Sequence, residues 1–273
     1  MIDEAIDAEY NIRRRHPESP QHYARYEADS AAARAALVAL GGRIDLRYGE
    51  ADGERLDFFP AAQANPPLFL FIHGGYWRAL DKRDFSFIAP PFVADGISVA
   101  LINYDLTPKV TVEEIVAQTQ RAIGWTNRNA GDLGFDPNRL VVGGHSAGGH
   151  LTAMALAAEP RLPIAAGTAI SGVFDLVPLL KTNVNVQLTL DEDRARRLSP
   201  MHSPRPDRAP DLIGVGGAET DGFIRQSRDF AGRLGKSAKI YPGLDHYTIM
   251  SALADPQSDI HRDIRAIIDG TAQ

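Results

Sequence analysis

Four short stretches of this chain carry residue types that can act together on a carbonyl carbon. Ser146 sits in Gly144-His145-Ser146-Ala147-Gly148, a G-x-S-x-G pattern, with the apolar run 140–142 before it and the helix-compatible run 151–158 after it. On a sharp strand-to-helix turn such a serine has its hydroxyl lifted clear of the strand ends, and glycines flank it where the backbone is crowded. A serine hydroxyl is a weak nucleophile at neutral pH. It needs a base within hydrogen-bond reach, and the base needs an orienting carboxylate. In chains built on this turn, the acid and then the histidine follow the serine.

His202, His246 and His261 lie well downstream of Ser146. His202 falls in a Pro-rich stretch ahead of the strand that should carry the acid, and His261 is expected on the surface of a final helix. That leaves His246 as the base. The acid is expected in the turn after a strand at 211–215, where Glu219 and Asp221 both stand. Glu219 is nearer the strand end and is favoured. Asp221 could instead cap the helix beginning near Phe223, and both remain candidates. An oxyanion hole needs the N–H of the residue after the nucleophile, Ala147, and a second donor from a Gly-rich loop. His73-Gly74-Gly75, after the apolar run 68–72, supplies such a loop. Loss of one such donor typically costs about 3–4 kcal/mol of transition-state stabilisation.

Two other chemistries fail on spacing. The glycines of 143–149 are not followed by Lys-Ser/Thr, so they form no P-loop, and His145 and His150 do not make H-E-x-x-H. His145 is expected to pack on the site wall and His150 to be structural.

The elements that must position these residues follow in order. Residues 1–40 read as polar helices, alanine-rich from 30 to 40. The run Arg13-Arg14-Arg15 reads as a solvated face, with the alternative that these helices lie over the mouth of a site. Residues 43–48 and 54–59 alternate around Asp52-Gly53 as a hairpin. Residues 68–72 and 97–103 are apolar runs suited to strands buried on both faces. A short helix is expected over 84–92, ending near Pro90-Pro91. Residues 112–128 have helical spacing, 164–170 form a strand, and 176–210 form an irregular insertion over the site. A helix at 223–234, a strand at 239–241 and a helix near 259–268 complete the chain. Alternating strands and helices predict an α/β fold: one domain over 1–273, a mostly parallel central sheet with helices on both faces, and a small lid from 1–40 and 176–210.

The totals narrow the function classes. A chain of 273 residues, 44% hydrophobic, can bury one large core. A net charge of −6 with both signs dispersed predicts no nucleic-acid partner. With no cysteine, disulfides, thiolate metal sites and a cysteine nucleophile are excluded. The acidic first residues show no apolar signal region and no run approaches the roughly 20 apolar residues of a membrane span, so a cytoplasmic protein without membrane partner is expected. No cofactor or metal is called for. A homodimer is compatible with the sequence, which does not fix the oligomeric state.

His73-Gly74-Gly75-Tyr76-Trp77 together with Gly144-His145-Ser146-Ala147-Gly148-Gly149-His150 resembles the arylformamidase (kynurenine formamidase) branch of the α/β-hydrolases, near the hormone-sensitive-lipase-like esterases. Tyr10-Asn11 and 219–227 are similar too, so the resemblance covers most of the chain. It implies hydrolysis of an aryl formamide such as N-formylkynurenine to the amine and formate, with Ser146 attacking, His246 moving the proton and Gly74, Gly75 and Ala147 binding the oxyanion. At the family's acid position, aspartate is frequent, and the glutamate here is a departure that keeps Asp221 in play. Tyr76 and Trp77, and less so Tyr104, could line an aromatic substrate pocket; ordinary core packing is the alternative. A carboxylesterase on small aryl or acyl esters or carbamates would use the same residues. A silent α/β-hydrolase retained for binding would keep them without turnover.

Overall fold

The computed structural model describes residues 1–272. Eight strands form one sheet: β1 (Arg43–Arg47), β2 (Arg55–Phe59), β3 (Leu68–Ile72), β4 (Ser98–Ile102), β5 (Leu140–His145), β6 (Ala166–Ile170), β7 (Leu212–Gly216) and β8 (Lys239–Tyr241). Their spatial order is β1-β2-β4-β3-β5-β6-β7-β8. The β1/β2 and β2/β4 pairings are antiparallel and every other pairing is parallel. Twelve α-helices surround the sheet: α1 (Glu4–Tyr10), α2 (Ile12–Arg15), α3 (Ser19–Ala39), α4 (Ala89–Ala94), α5 (Val112–Arg128), α6 (Ala130–Leu133), α7 (Ala147–Leu156), α8 (Asn185–Leu188), α9 (Glu192–Arg197), α10 (Asp221–Arg233), α11 (Thr248–Leu253) and α12 (Asp259–Asp269). No helix among the described residues is long and apolar enough to cross a membrane.

The strand sequences explain the layering. Successive side chains of a strand point to opposite faces. Leu68, Leu70 and Ile72 of β3 therefore join one core with Val112, Ile115 and Leu151 of α5 and α7, while Phe69 and Phe71 join another with Phe92 of α4 and Ile260, Ile264 and Ile268 of α12. Strands buried on both faces must be apolar throughout, and β3, β4, β5, β6 and β7 have every residue buried. Six neighbouring strands, β4, β3, β5, β6, β7 and β8, run parallel, so the loops leaving β3, β5, β6, β7 and β8 emerge along one edge of the sheet. Ligand sites of open α/β sheets collect at that edge.

Three expectations need correction. Pro90-Pro91 does not end a helix. A 3₁₀ helix over Lys82–Ile88 runs into α4, whose first turn holds the prolines, where a missing N–H costs nothing and the fixed φ suits the helix. Residues 176–210 are less irregular than expected, with α8, α9 and three 3₁₀ turns. His261 is not on the surface. It is 1% exposed, its Nδ1 bonded to the Leu253 carbonyl and its Nε2 to Asp95, stacked on Phe92. It stands three and seven residues before Ile264 and Ile268, which is the core-facing side of α12.

A buried ion network fastens α3 to the sheet. Asp57 of β2, fully buried, accepts from Arg34 Nε of α3 at 3.0 Å, from the Asp45 N–H at 2.8 Å and from Lys82 Nζ at 2.9 Å. Lys82 also meets Asp45 at 2.7 Å. Removing one partner of a buried pair leaves a charge without water or counter-ion. Lys82→Met is expected to lower the free energy of unfolding by about 3 kcal/mol, read from urea denaturation. A change below about 0.5 kcal/mol, ordinary for a surface substitution, would show that Arg34 alone satisfies Asp57.

Candidate active site

Strand β5 ends at His145 and α7 begins at Ala147, so Ser146 alone makes the turn. Its φ of 57° and ψ of −118° are strained for a residue with a side chain. Two bonds hold the turn: the Ser146 N–H donates to the Ile170 carbonyl at 2.9 Å, and the His150 N–H to the Ser146 carbonyl at 3.2 Å. The flanking glycines are a matter of room. A Cβ on Gly144 would stand 2.3 Å from the Gly148 carbonyl oxygen, and one on Gly148 would stand 2.0 Å from the Ile72 carbonyl oxygen at the end of β3. The turn and the β3 end are thus in backbone contact.

From β7, the chain delivers Glu219. Its Oε2 lies 2.7 Å from His246 Nδ1, and its Oε1 accepts from Ser171 Oγ at 2.5 Å and from the Gly216 N–H at 3.0 Å. Both side chains are almost fully buried, at 1% for Glu219 and 7% for His246. A carboxylate facing Nδ1 fixes that nitrogen as the N–H donor and leaves Nε2 as the acceptor. The ring is clamped between His145, centroids 4.4 Å apart, and Phe223, at 4.7 Å. Asp221 does not reach His246. It is exposed in the first turn of α10, where Thr220 holds the cap position. His202 pairs with Asp175 on the insertion.

The loop after β3 lies against Ser146. A Cβ on Gly74 would come within 3.0 Å of Ser146 Cβ, and Gly75 has a φ of 110°. Tyr76 and Trp77 follow with φ of 50° and 56°, so the loop is held in a conformation side chains disfavour. Ala147, first residue of α7, has an N–H with no acceptor inside its helix, at the helix's positive end.

Two cavities meet at Ser146 and His246. The wider, of about 340 Å³, is walled by Gly75 and Tyr76 of the β3 loop, by Asp7, Tyr10 and Arg13 of the N-terminal helices, and by Asn183, Val184 and Gln187 of the insertion. The narrower, of about 30 Å³, is bounded by Gly74, Leu80, Phe85, His145 and Met250. Tyr23 and Tyr247 border both. Tyr76 faces the wider cavity and donates from its hydroxyl to the Tyr10 carbonyl at 2.6 Å.

Trp77 and Tyr104 do not reach either cavity, contrary to expectation. Trp77 is fully buried with its ring edge-on to His150. Tyr104 stacks on His73 at 4.3 Å and donates to the His73 carbonyl at 2.9 Å. Their size and apolar area are used in the core. Of the arginine run only Arg13 borders a cavity. Ser171, Asp7, Arg78, Leu80 and Met250 went unnoticed in the sequence; the β6 end at Ser171 was the available signal for the first.

Among the described residues, His16, Glu18 and Asp245 bring ligand atoms within 4.8 Å of one another. Those groups already have work: His16 Nδ1 bonds Glu18 at 3.0 Å, and Asp245 accepts from the N–H groups of Tyr247 and Thr248 at 2.8 Å.

The family model described as BD-FAE matches residues 56–164. The chain is 34% identical to a kynurenine formamidase of Drosophila melanogaster, over 81% of this chain and 80% of the relative. It is 32% identical to a kynurenine formamidase of Danio rerio, over 78% and 77%. A crystal structure from a Silicibacter species, described provisionally as a thioesterase, superposes with a TM-score of 0.85 at 32% identity, covering 97% of this chain and 98% of that one.

Three buried histidines surround the site. Burial holds His73 below the ordinary histidine pKa, burial and the neighbouring His246 push His145 well below it, and burial brings His150 down to about 4. The unfolded chain takes up these protons below about pH 6.5 while the folded chain declines them. Stability is therefore full above pH 6.5 and falls as the pH drops. His150 alone accounts for roughly 3 kcal/mol by pH 4. Urea denaturation at pH 7.5 and pH 4.5 is expected to give a steep loss in the wild type and a loss smaller by about 1–2 kcal/mol in His150→Gln. Parallel losses would mean that His150 is protonated in the folded state.

Proposed function

The chain belongs to the kynurenine formamidase family of α/β-hydrolases, and we propose that it hydrolyses an aryl formamide, such as N-formylkynurenine, through a formyl-enzyme on Ser146. It is a hydrolase, and the substrate and residue roles are the content of this reading. Ser146 Oγ attacks the formyl carbon as His246 Nε2 takes its proton. The carbonyl oxygen gains charge facing the N–H groups of Ala147 and the Gly74-Gly75 loop. Collapse breaks the C–N bond, and the proton on His246 goes to the departing aryl amine. Water, deprotonated by the same nitrogen, then attacks the formyl ester, and formate leaves as Ser146 regains its proton. Glu219 holds the Nδ1–H and stabilises the imidazolium formed in each half.

The observation that carries the formyl assignment is the unequal pair of cavities. A space of about 30 Å³ beside Gly74 and Ser146 takes one or two waters, enough for a formyl hydrogen or an acetyl methyl and too little for a longer acyl chain. The cavity of about 340 Å³ on the other side has the volume for an aryl amine. With one aryl leaving group, kcat/KM is expected to fall from formyl to acetyl and at least tenfold further to butyryl, since overpacking costs about 1–3 kcal/mol. Leu80→Ala, which widens the small cavity, is expected to flatten that series. A wild-type profile flat across acyl length would make the protein a general carboxylesterase.

The acid is tested separately. Glu219→Gln keeps shape while removing the charge that fixes the tautomer, and kcat is expected to fall about ten-thousandfold. Asp221→Asn is expected to stay within threefold, and Ser146→Ala to abolish labelling by a fluorophosphonate. A Glu219→Gln enzyme of near-normal kcat would remove Glu219 from the reaction.

A further inference from the structure

A groove that the reaction does not use lies close to the narrower cavity. It has about 470 Å³ and is bordered by α3, by Phe87 and Pro90, and by the end of α11 with Ala254. Arg25 and Asp29 stand exposed on its α3 side and pair with each other at 3.3 Å, so their charges are satisfied. Among the described residues that line the groove and the narrower cavity, Tyr26 is the one common to both. Tyr26 is 3% exposed. Its hydroxyl donates to the Tyr247 carbonyl, its ring stacks on Phe87 with centroids 4.8 Å apart, and Tyr23 lies edge-on to it at 6.3 Å. The helix that carries it is fastened too, by Arg34 on Asp57 at 3.0 Å and by the Ser30 hydroxyl, which accepts the Phe87 N–H at 3.1 Å. The remaining walls of the narrower cavity are backed differently. Gly74, Gly75 and Leu80 belong to the β3 loop, and Phe85 and Met250 are buried in one apolar cluster with Phe71 and Ile249.

We infer that the ring of Tyr26 is the partition that limits the acyl group, and that the groove behind it takes a straight aliphatic acyl chain once the ring is removed. The inference rests on the reading of the narrower cavity as the acyl site and adds to it the residue that sets the length. With the leaving group in the wider cavity, added acyl carbons have to enter the narrower one and pass a wall. A wall backed by packed core cannot yield without strain. Tyr26 is the wall with open space behind it, and Phe87, Pro90 and Ala254 offer that space an apolar lining. The ring is held in place by the Tyr247 carbonyl and by Phe87, so the partition is closed by packing and by a hydrogen bond together. The choice of acyl group is then made by a helix of the N-terminal cover, 120 residues before the nucleophile.

The test uses formyl, acetyl, butyryl and hexanoyl compounds of one aryl leaving group and reads ratios of kcat/KM within each protein, which removes any general loss of activity. In Tyr26→Ala the ratios of butyryl and of hexanoyl to formyl are expected to rise about tenfold or more over the wild type, the scale on which apolar pockets discriminate chain length. Tyr26→Leu, which keeps more of the core filled, is expected to give a smaller rise in the same direction and retains the test should Tyr26→Ala unfold. Tyr26→Phe keeps the ring and loses only the tether to Tyr247, and is expected to keep the wild-type order of acyl groups. Ratios unmoved in both Tyr26→Ala and Tyr26→Leu overturn the partition and leave the small-acyl reading standing. A gain for butyryl without one for hexanoyl also overturns it, because the chain then fails to reach the groove. So does a Tyr26→Phe protein as permissive as Tyr26→Ala, which would assign the limit to the tether. A wild type equally active on all four compounds overturns the small-acyl reading itself.

Discussion

The contact on which the site depends is between two stretches of backbone. The end of β3 and the start of α7 touch at the Ile72 carbonyl and Gly148, with no space for a side chain. Everything at the sheet edge follows from that proximity. It sets the Gly74-Gly75 loop against Ser146, so a serine hydroxyl and the backbone of a glycine pair share one corner. It also removes freedom from α7, whose first N–H groups face the same corner. Bulk at Gly148 would separate the two loops before it disturbed the Glu219–His246 pair. The cost of this arrangement is visible locally as positive φ at Ser146, Tyr76 and Trp77, and strain of that kind persists where surrounding structure over-determines it.

The Glu219 side is built differently, by saturation with hydrogen bonds. Glu219 spends one oxygen on the Ser171 hydroxyl and the Gly216 N–H and the other on His246. A buried carboxylate with several donors is fixed in direction. The longer arm of glutamate is accommodated because it folds back on its own strand end, over the Gly216 N–H, before reaching the imidazole. Ser171 adds a support from the neighbouring strand, so the end of β6 helps to aim a residue carried by β7.

What the sequence disclosed divides along physical lines. Gly144, Ser146, Gly148, Glu219 and His246 stand out in the sequence because local backbone geometry and residue chemistry mark those positions, and the fold brings Ser146, Glu219 and His246 to one corner. The parallel sheet was readable for a similar reason: strands covered on both faces must be apolar throughout. Trp77 and Tyr104 misled because an aromatic next to a glycine loop has the same composition whether it faces the cavity or the core. His261 misled although its spacing to Ile264 and Ile268 already placed it on the apolar face of α12. Arg13 and the insertion were noticed only as parts of segments that could cover a site, and Asp7 and Arg78 were silent, because a wall assembled from distant segments leaves no local pattern. Only the folded chain brings them together.

The hydroxyl of Tyr26 in α3 donates to the carbonyl of Tyr247, a partner 221 residues away and next in the chain to His246. His22 and Tyr23 of the same helix pack on the Tyr247 ring. Synthesis proceeds from the N-terminus, so α3 meets its partners on β2 and the 3₁₀ helix of Lys82–Ile88 early, while its contacts with Tyr247 wait for almost the whole chain. Contacts of such sequence separation are slow to form, and a polypeptide arrested before His246 lacks both that residue and the Tyr247 ring on which α3 packs. The corner that brings Ser146, Glu219 and His246 together is therefore closed only after nine-tenths of the chain has been made.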